Sequence, residues 1–140
     1  MILLVEDNID DEVLALRALR KNKVSDEVIV VRDGQEALDF LFSDNPAHPQ
    51  PRLILLDLNL PRVSGLEVLR QLRANASTRL LPVVVLTTSD EDRDRLESYD
   101  LGANSYVKKP IDYRDFTEMM KLLSDFWLNT NLPPPAGGVS

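Results

Sequence analysis

The sequence predicts an α/β fold, a (βα)5 unit in which helices cover both faces of a doubly wound parallel sheet. Three observations lead there. Short β-rich runs alternate five times with amphipathic helical stretches. Most of those runs are continuous Val/Ile/Leu rather than alternating, the pattern of strands buried on both faces. The length of 140 residues suits one domain and leaves little room for a second.

The first strand is read at Ile2–Val5, and a helix follows over residues 9–22. That helix opens with Asp10, Asp11 and Glu12 and closes with Arg17, Arg20 and Lys21, which matches the helix dipole at both ends. The second strand is Val28–Val31. Asp33 and Glu36 then have the spacing of a helix cap and its reciprocal partner, as do Ser64 and Glu67 after the third strand, Leu53–Leu56. Between them the stretch Ser43–Arg52, with Pro46, Pro49 and Pro51, must be a loop. It carries the single histidine, His48, read as a solvated loop residue. The fourth strand is Val83–Leu86, with a helix over 90–101 that Gly102 ends in the left-handed conformation. The fifth, Ser105–Val107, is shorter and less apolar and belongs at a sheet edge. In the last helix Phe116, Met119, Met120, Leu123 and Trp127 recur at three- and four-residue steps, one apolar face. The tail from Pro133 to Gly138 can be neither helix nor strand and is expected to be extended or mobile.

Composition removes several function classes. With 44% hydrophobic and 28% charged residues the chain is ordinarily globular. No apolar run reaches the length of a membrane span, and the early acidic residues do not fit a signal peptide. Cysteine is absent, so disulfides and thiolate chemistry are excluded, in keeping with a cytoplasmic protein. A net charge of −7 argues against nucleic-acid binding.

In an open parallel sheet, ligands bind beyond the carboxyl ends of the strands, where strand order reverses. Strand one ends in Glu6-Asp7, strand three in Asp57, strand four in Thr87, and Lys109 follows strand five. Each has an ordinary structural role when taken singly: acids before a helix serve its dipole, Asp57 could start a turn, Thr87 could cap, and Lys109 could be solvated. Together they conflict, because two like charges ~4 Å apart cost roughly 4 kcal/mol at an effective dielectric of 20. One lysine offsets only part of that. A hard divalent cation would neutralise the rest, and an all-oxygen set with few protein ligands suits Mg²⁺. A carboxylate, a magnesium ion, a hydroxyl and a lysine make a site for phosphoryl transfer.

Five segments carry a resemblance: Leu4-Val5-Glu6-Asp7-Asn8, Leu56-Asp57-Leu58-Asn59-Leu60-Pro61, the following Gly65, Leu86-Thr87-Thr88-Ser89, and Tyr106-Val107-Lys108-Lys109-Pro110. Residues 1–127 resemble the receiver domain of two-component response regulators, with 128–140 as a carboxyl-terminal extension. The resemblance implies the flavodoxin-like strand order 2-1-3-4-5. It also implies that Asp57 accepts a phosphoryl group from a histidine kinase. Asp7, Asp57 and the backbone carbonyl of Asn59 would bind Mg²⁺, with Glu6 acting mostly through water. Thr87 would bond one phosphoryl oxygen and Lys109 would balance another, aimed inward by a cis Lys109-Pro110 peptide. Thr87 and Tyr106 would form the switch that alters the surface of helix four, strand five and helix five. Such a protein catalyses its own phosphorylation and dephosphorylation rather than turning over a substrate.

The tail, the proline-containing loop 43–52 and the run Pro82–Ser89 further resemble stand-alone receivers that partner bacterial and cyanobacterial phytochrome kinases. These commonly form homodimers through the helix-four, strand-five, helix-five face and the extension, which makes Phe126, Trp127 and Leu128 interface candidates; Phe126 and Trp127 could equally finish the packing of helix five. About a dozen residues follow that helix, so output is expected through protein contact or onward transfer, not DNA binding. Three competing readings are weaker. A phosphatase of the haloacid-dehalogenase type needs a second acid where Asn59 stands, and a cap segment. A flavin or nucleotide binder would need a glycine-rich phosphate loop that is missing. A phosphorylation-independent binding module would lack part of the site.

Overall fold

The computed structural model describes residues 1–44 and 49–135. Five parallel strands, β1 (Ile2–Val5), β2 (Val28–Val31), β3 (Leu53–Leu56), β4 (Val83–Thr87) and β5 (Ser105–Lys108), form one sheet in the order β2-β1-β3-β4-β5. The helices are α1 (Ile9–Lys21), α2 (Gly34–Leu41), α3 (Gly65–Ala74), α4 (Asp92–Asp100) and α5 (Tyr113–Ser124), the last continued by a π-helical segment, Asp125–Thr130. The fold class and the strand order match the expectation.

The period-two alternation of a strand explains how continuous apolar runs feed two cores. Leu3, Val5, Ile54, Leu56, Val83 and Val85 face α2 and α3, meeting Leu38, Leu41, Val68 and Leu72. Ile2, Leu4, Leu53, Leu55, Val84 and Leu86 face α1 and α5, meeting Ala15, Leu19, Phe116, Met120 and Leu123. Both outer strands are half-buried: β5 as its composition predicts, and β2 although it is as apolar as the inner strands.

Local signals hold at the helix starts. The side chains of Asn8, Asp33 and Ser64 accept the amides of Asp11, Glu36 and Glu67, and Asp112 caps α5. Gly102 takes φ +97 after α4, as the sequence requires. The fourth helix starts later than expected, at Asp92. The Ser89 hydroxyl accepts the Glu91 amide and donates to Asp94 Oδ2 at 2.6 Å, so residues 89–91 form the turn that precedes it.

The largest departure is in α5. Its apolar face runs through Phe116, Met120 and Leu123, but after Ser124 the helix widens by one residue per turn. The next buried apolar side chain is therefore Leu128, five residues after Leu123, while Trp127 is only partly covered. Of the three interface candidates, Leu128 thus lies in its own core, and the expected boundary between 127 and 128 falls inside a helical segment. Residues 133–135 are irregular, as predicted; His48, Pro46 and the tail from Ala136 lie outside the described residues.

Candidate functional site

Register brings the predicted residues to one edge. Val5 pairs with Leu56 and Thr87 with Lys108, so Glu6, Asp57, Thr87 and Lys109 all emerge at the carboxyl ends of neighbouring strands. The strand order reverses between β1 and β3, where the acids stand. Gly65 sets the floor of the site. A Cβ there would lie 2.2 Å from the Asp57 carbonyl oxygen, so only glycine lets α3 start against the end of β3.

At the centre is the Lys109 ammonium, 4% exposed, between three carboxylates. It donates to Asp57 Oδ2 and to Asp11 Oδ2, both at 2.9 Å, and also pairs with Glu6. The other Asp57 oxygen accepts the Asn59 amide at 3.2 Å, and Glu6 accepts the Asn8 amide. Burial alone would lower the lysine, but hydrogen bonds to Asp11, Glu6 and Asp57 hold it above its ordinary value. Burial pushes Glu6 up to about 7, over the opposing hydrogen bond and charge of Lys109, with the Asp57 charge adding to the rise.

Glu6, Asp7 and Asp57 each offer an oxygen, and these lie within 4.8 Å of one another. Glu6 and Asp57 are buried and Asp7 is exposed. An all-oxygen set with one member open to solvent fits a hard divalent cation that keeps part of its water. The predicted cis bond is not found: among the described residues every peptide is trans. The trans form is the lower in energy for X–Pro by about 0.5–1 kcal/mol, and from it Lys109 already reaches the carboxylates.

Thr87 is fully buried at the same edge, its Oγ1 accepting the Ser89 amide at 3.3 Å. Tyr106, half-buried on β5, donates its hydroxyl to the Ser89 carbonyl at 2.9 Å. Ser89 therefore links the two residues that the resemblance pairs as a switch. Sequence reasoning missed Asp11, which it read only as a dipole partner of α1. The available signal was its position one turn beyond Glu6-Asp7, three residues after the Asn8 cap, where a helix leaving β1 passes over the strand ends.

Residues 2–121 match the family model of the response regulator receiver domain, and the chain belongs to that family. That membership sets aside the haloacid-dehalogenase alternative. It is similar to Response regulator Rcp1 of Synechocystis, 41% identical over 97% of this chain and 94% of the relative. The crystal structure of the phosphorylated cyanobacterial phytochrome response regulator RcpA superposes with a TM-score of 0.91 at 40% identity, over 96% of this chain and 97% of that one. The Mn²⁺-bound form of Rcp1 gives a TM-score of 0.90 at 40% identity, over 96% and 98%. No helix among the described residues is long and apolar enough to cross a membrane.

Proposed function

We propose that the chain accepts a phosphoryl group on Asp57 from a phosphohistidine of a sensor kinase and signals through the surface around β5. One observation carries the reading: Asp57 is buried at the end of β3 with one oxygen on the Lys109 ammonium, the other on the Asn59 amide, and two further carboxylates beside it. A carboxylate so held is aimed, and aiming with charge balance is most of what phosphoryl transfer asks of an acceptor. An Asp57 oxygen forms the new bond to phosphorus while the P–N bond breaks, its electron pair returning to the imidazole nitrogen. Lys109 keeps its proton throughout and balances charge on a phosphoryl oxygen.

The donor set of Glu6, Asp7 and Asp57 fits Mg²⁺; as the resemblance implies, Asp7, Asp57 and the Asn59 carbonyl would hold it, with Glu6 acting through water, and it would supply charge to neutralise the transferring group. Thr87 drawn toward a phosphoryl oxygen takes Ser89 with it, and Tyr106 then loses its acceptor. Tyr106 is thereby free to turn inward. Likeness to Rcp1 and RcpA supports a phytochrome-type kinase as the donor. A homodimer through α4, β5, α5 and the extension is supported by exposed Leu122 and Phe126. Phe126→Glu is expected to shift sedimentation toward monomer.

The decisive experiment is labelling with acetyl phosphate. Wild type should gain acid-labile phosphate in the presence of Mg²⁺ and lose the gain in chelator, and Asp57→Asn should gain none. Equal phosphate in Asp57→Asn and wild type would refute the assignment.

A further inference from the structure

We infer that Asp11 is a positioning residue for Lys109, and that it sets how strongly the ammonium can hold a phosphoryl group on Asp57. The inference rests on the phosphoacceptor reading above. An ammonium has three donors, and here Glu6, Asp11 and Asp57 take all three. A phosphoryl oxygen that recruits Lys109 must therefore displace one of them.

The three carboxylates differ in what they lose. Glu6 is 2% exposed, and stripping it of the lysine would strand a buried charge. Asp57 would carry the phosphoryl group itself. Asp11 alone has somewhere to go: its side chain is 25% exposed, and it stands in the first turn of α1, where solvent and the helix amino terminus stabilise a carboxylate without the lysine. Asp11 is the partner that yields.

Asp11 also stands outside the set of carboxylates whose oxygens lie within 4.8 Å of one another among the described residues, so its charge acts through the lysine and not as a cation ligand. Two opposite consequences follow. While it holds Lys109, 2.9 Å from it as Asp57 also is, it occupies one of the ammonium's three donors and tempers the repulsion between lysine and a divalent cation. When a phosphoryl group arrives, it competes for the same donor. Removing it should weaken the cation and strengthen the phosphoryl group.

The experiment uses the full chain with Asp11→Asn, and Asp11→Ala as a second variant. Mg²⁺ affinity is read by calorimetry, and the affinity for beryllofluoride, a phosphoryl stand-in, is read at saturating Mg²⁺ from amide shifts. Both variants are expected to bind Mg²⁺ roughly threefold more weakly and beryllofluoride roughly threefold more tightly, the scale of one partly exposed ion pair. Asp10→Asn removes an equal charge from the same turn at an exposed position and should change neither by as much. In a Lys109→Gln background the Asp11 effect on beryllofluoride should vanish. Affinities that move in the same direction or not at all, an Asp10 effect as large as the Asp11 effect, or an Asp11 effect that survives without the lysine would overturn the inference. Wild type that takes up no beryllofluoride would instead overturn the phosphoacceptor reading.

Discussion

The two ends of the sheet carry charge clusters of opposite design. At the carboxyl end, Glu6, Asp11 and Asp57 gather around the Lys109 ammonium, and Asp7 stands beside Glu6 and Asp57. At the amino end, Asp26 receives two hydrogen bonds from Arg52, at 2.8 and 2.7 Å, and one from the Met1 amino group, at 3.2 Å. Arg52 also donates to the Leu128 carbonyl, so the amino cluster ties β1, β2 and β3 to the segment that follows α5. There one acid has two cations, and its charge is fully met. Burial would raise Asp26, but Arg52 and the amino group hold it below the ordinary carboxylate range, whereas Glu6 is pushed up to about 7. A matched cluster fastens the fold; a mismatched one holds a conflict that a cation or a phosphoryl chemistry can use.

The contrast can be broken first at its stabilising end. Arg52→Ala leaves a half-buried carboxylate without its bidentate partner and frees the Leu128 carbonyl. It should cost about 2 kcal/mol in chemical denaturation while leaving acetyl-phosphate labelling intact. A smaller effect is expected from the cation. At tenfold excess over its dissociation constant, Mg²⁺ should stabilise wild type by about 1.4 kcal/mol and Asp57→Asn by much less, read as a shift in Tm. Removing charge at the mismatched end should do the reverse of removing it at the matched end. Asp57→Asn in chelator is expected to gain roughly 0.5–1 kcal/mol at neutral pH, since one of the crowded acids is gone.

The last and smallest effects concern pH in chelator. Asp26 is lowered in the folded protein, so its contribution is complete above the unfolded carboxylate value near ~3.9 and is lost as pH falls through the folded value below it. Glu6 is raised, so the folded state holds the extra proton between 4.5 and about 7 and loses stability as pH rises across that window. Arg52→Ala should therefore flatten the acid limb of the stability profile, and Glu6→Gln the limb approaching neutrality. A Glu6→Gln profile that parallels wild type from 4.5 to 7 would show the carboxyl end to be as well matched as the amino end.

Most of the architecture was readable because its causes are local. Strand runs, the Asn8, Asp33 and Ser64 cap positions and the glycine after α4 are set by neighbours a few residues away. The acids at the strand ends were readable for the same reason, once parallel pairing is granted. Three features have no local cause. β2 is as apolar as an inner strand, so its composition does not mark it as an edge, and only the strand order that the resemblance implies does. Trp127 follows the three- and four-residue rhythm of α5, yet the π turn after Ser124 gives the buried place to Leu128. Asp11 looked like any acid in a first helical turn.

From the sequence alone come the type of each element, the sign of the charge at each strand end and the residues that match the receiver pattern, because periodicity, capping and alternation act over one or two turns of chain. Which carboxylates share the ammonium was decided by tertiary structure. Lys109 and Asp11 are 98 residues apart, and they meet because α1 crosses over the ends of the strands whose side chains it covers. The same packing places Arg52 on the carbonyl of Leu128, 76 residues on. Contacts of that separation are fixed by how layers of side chains fill space, and no local pattern encodes that filling.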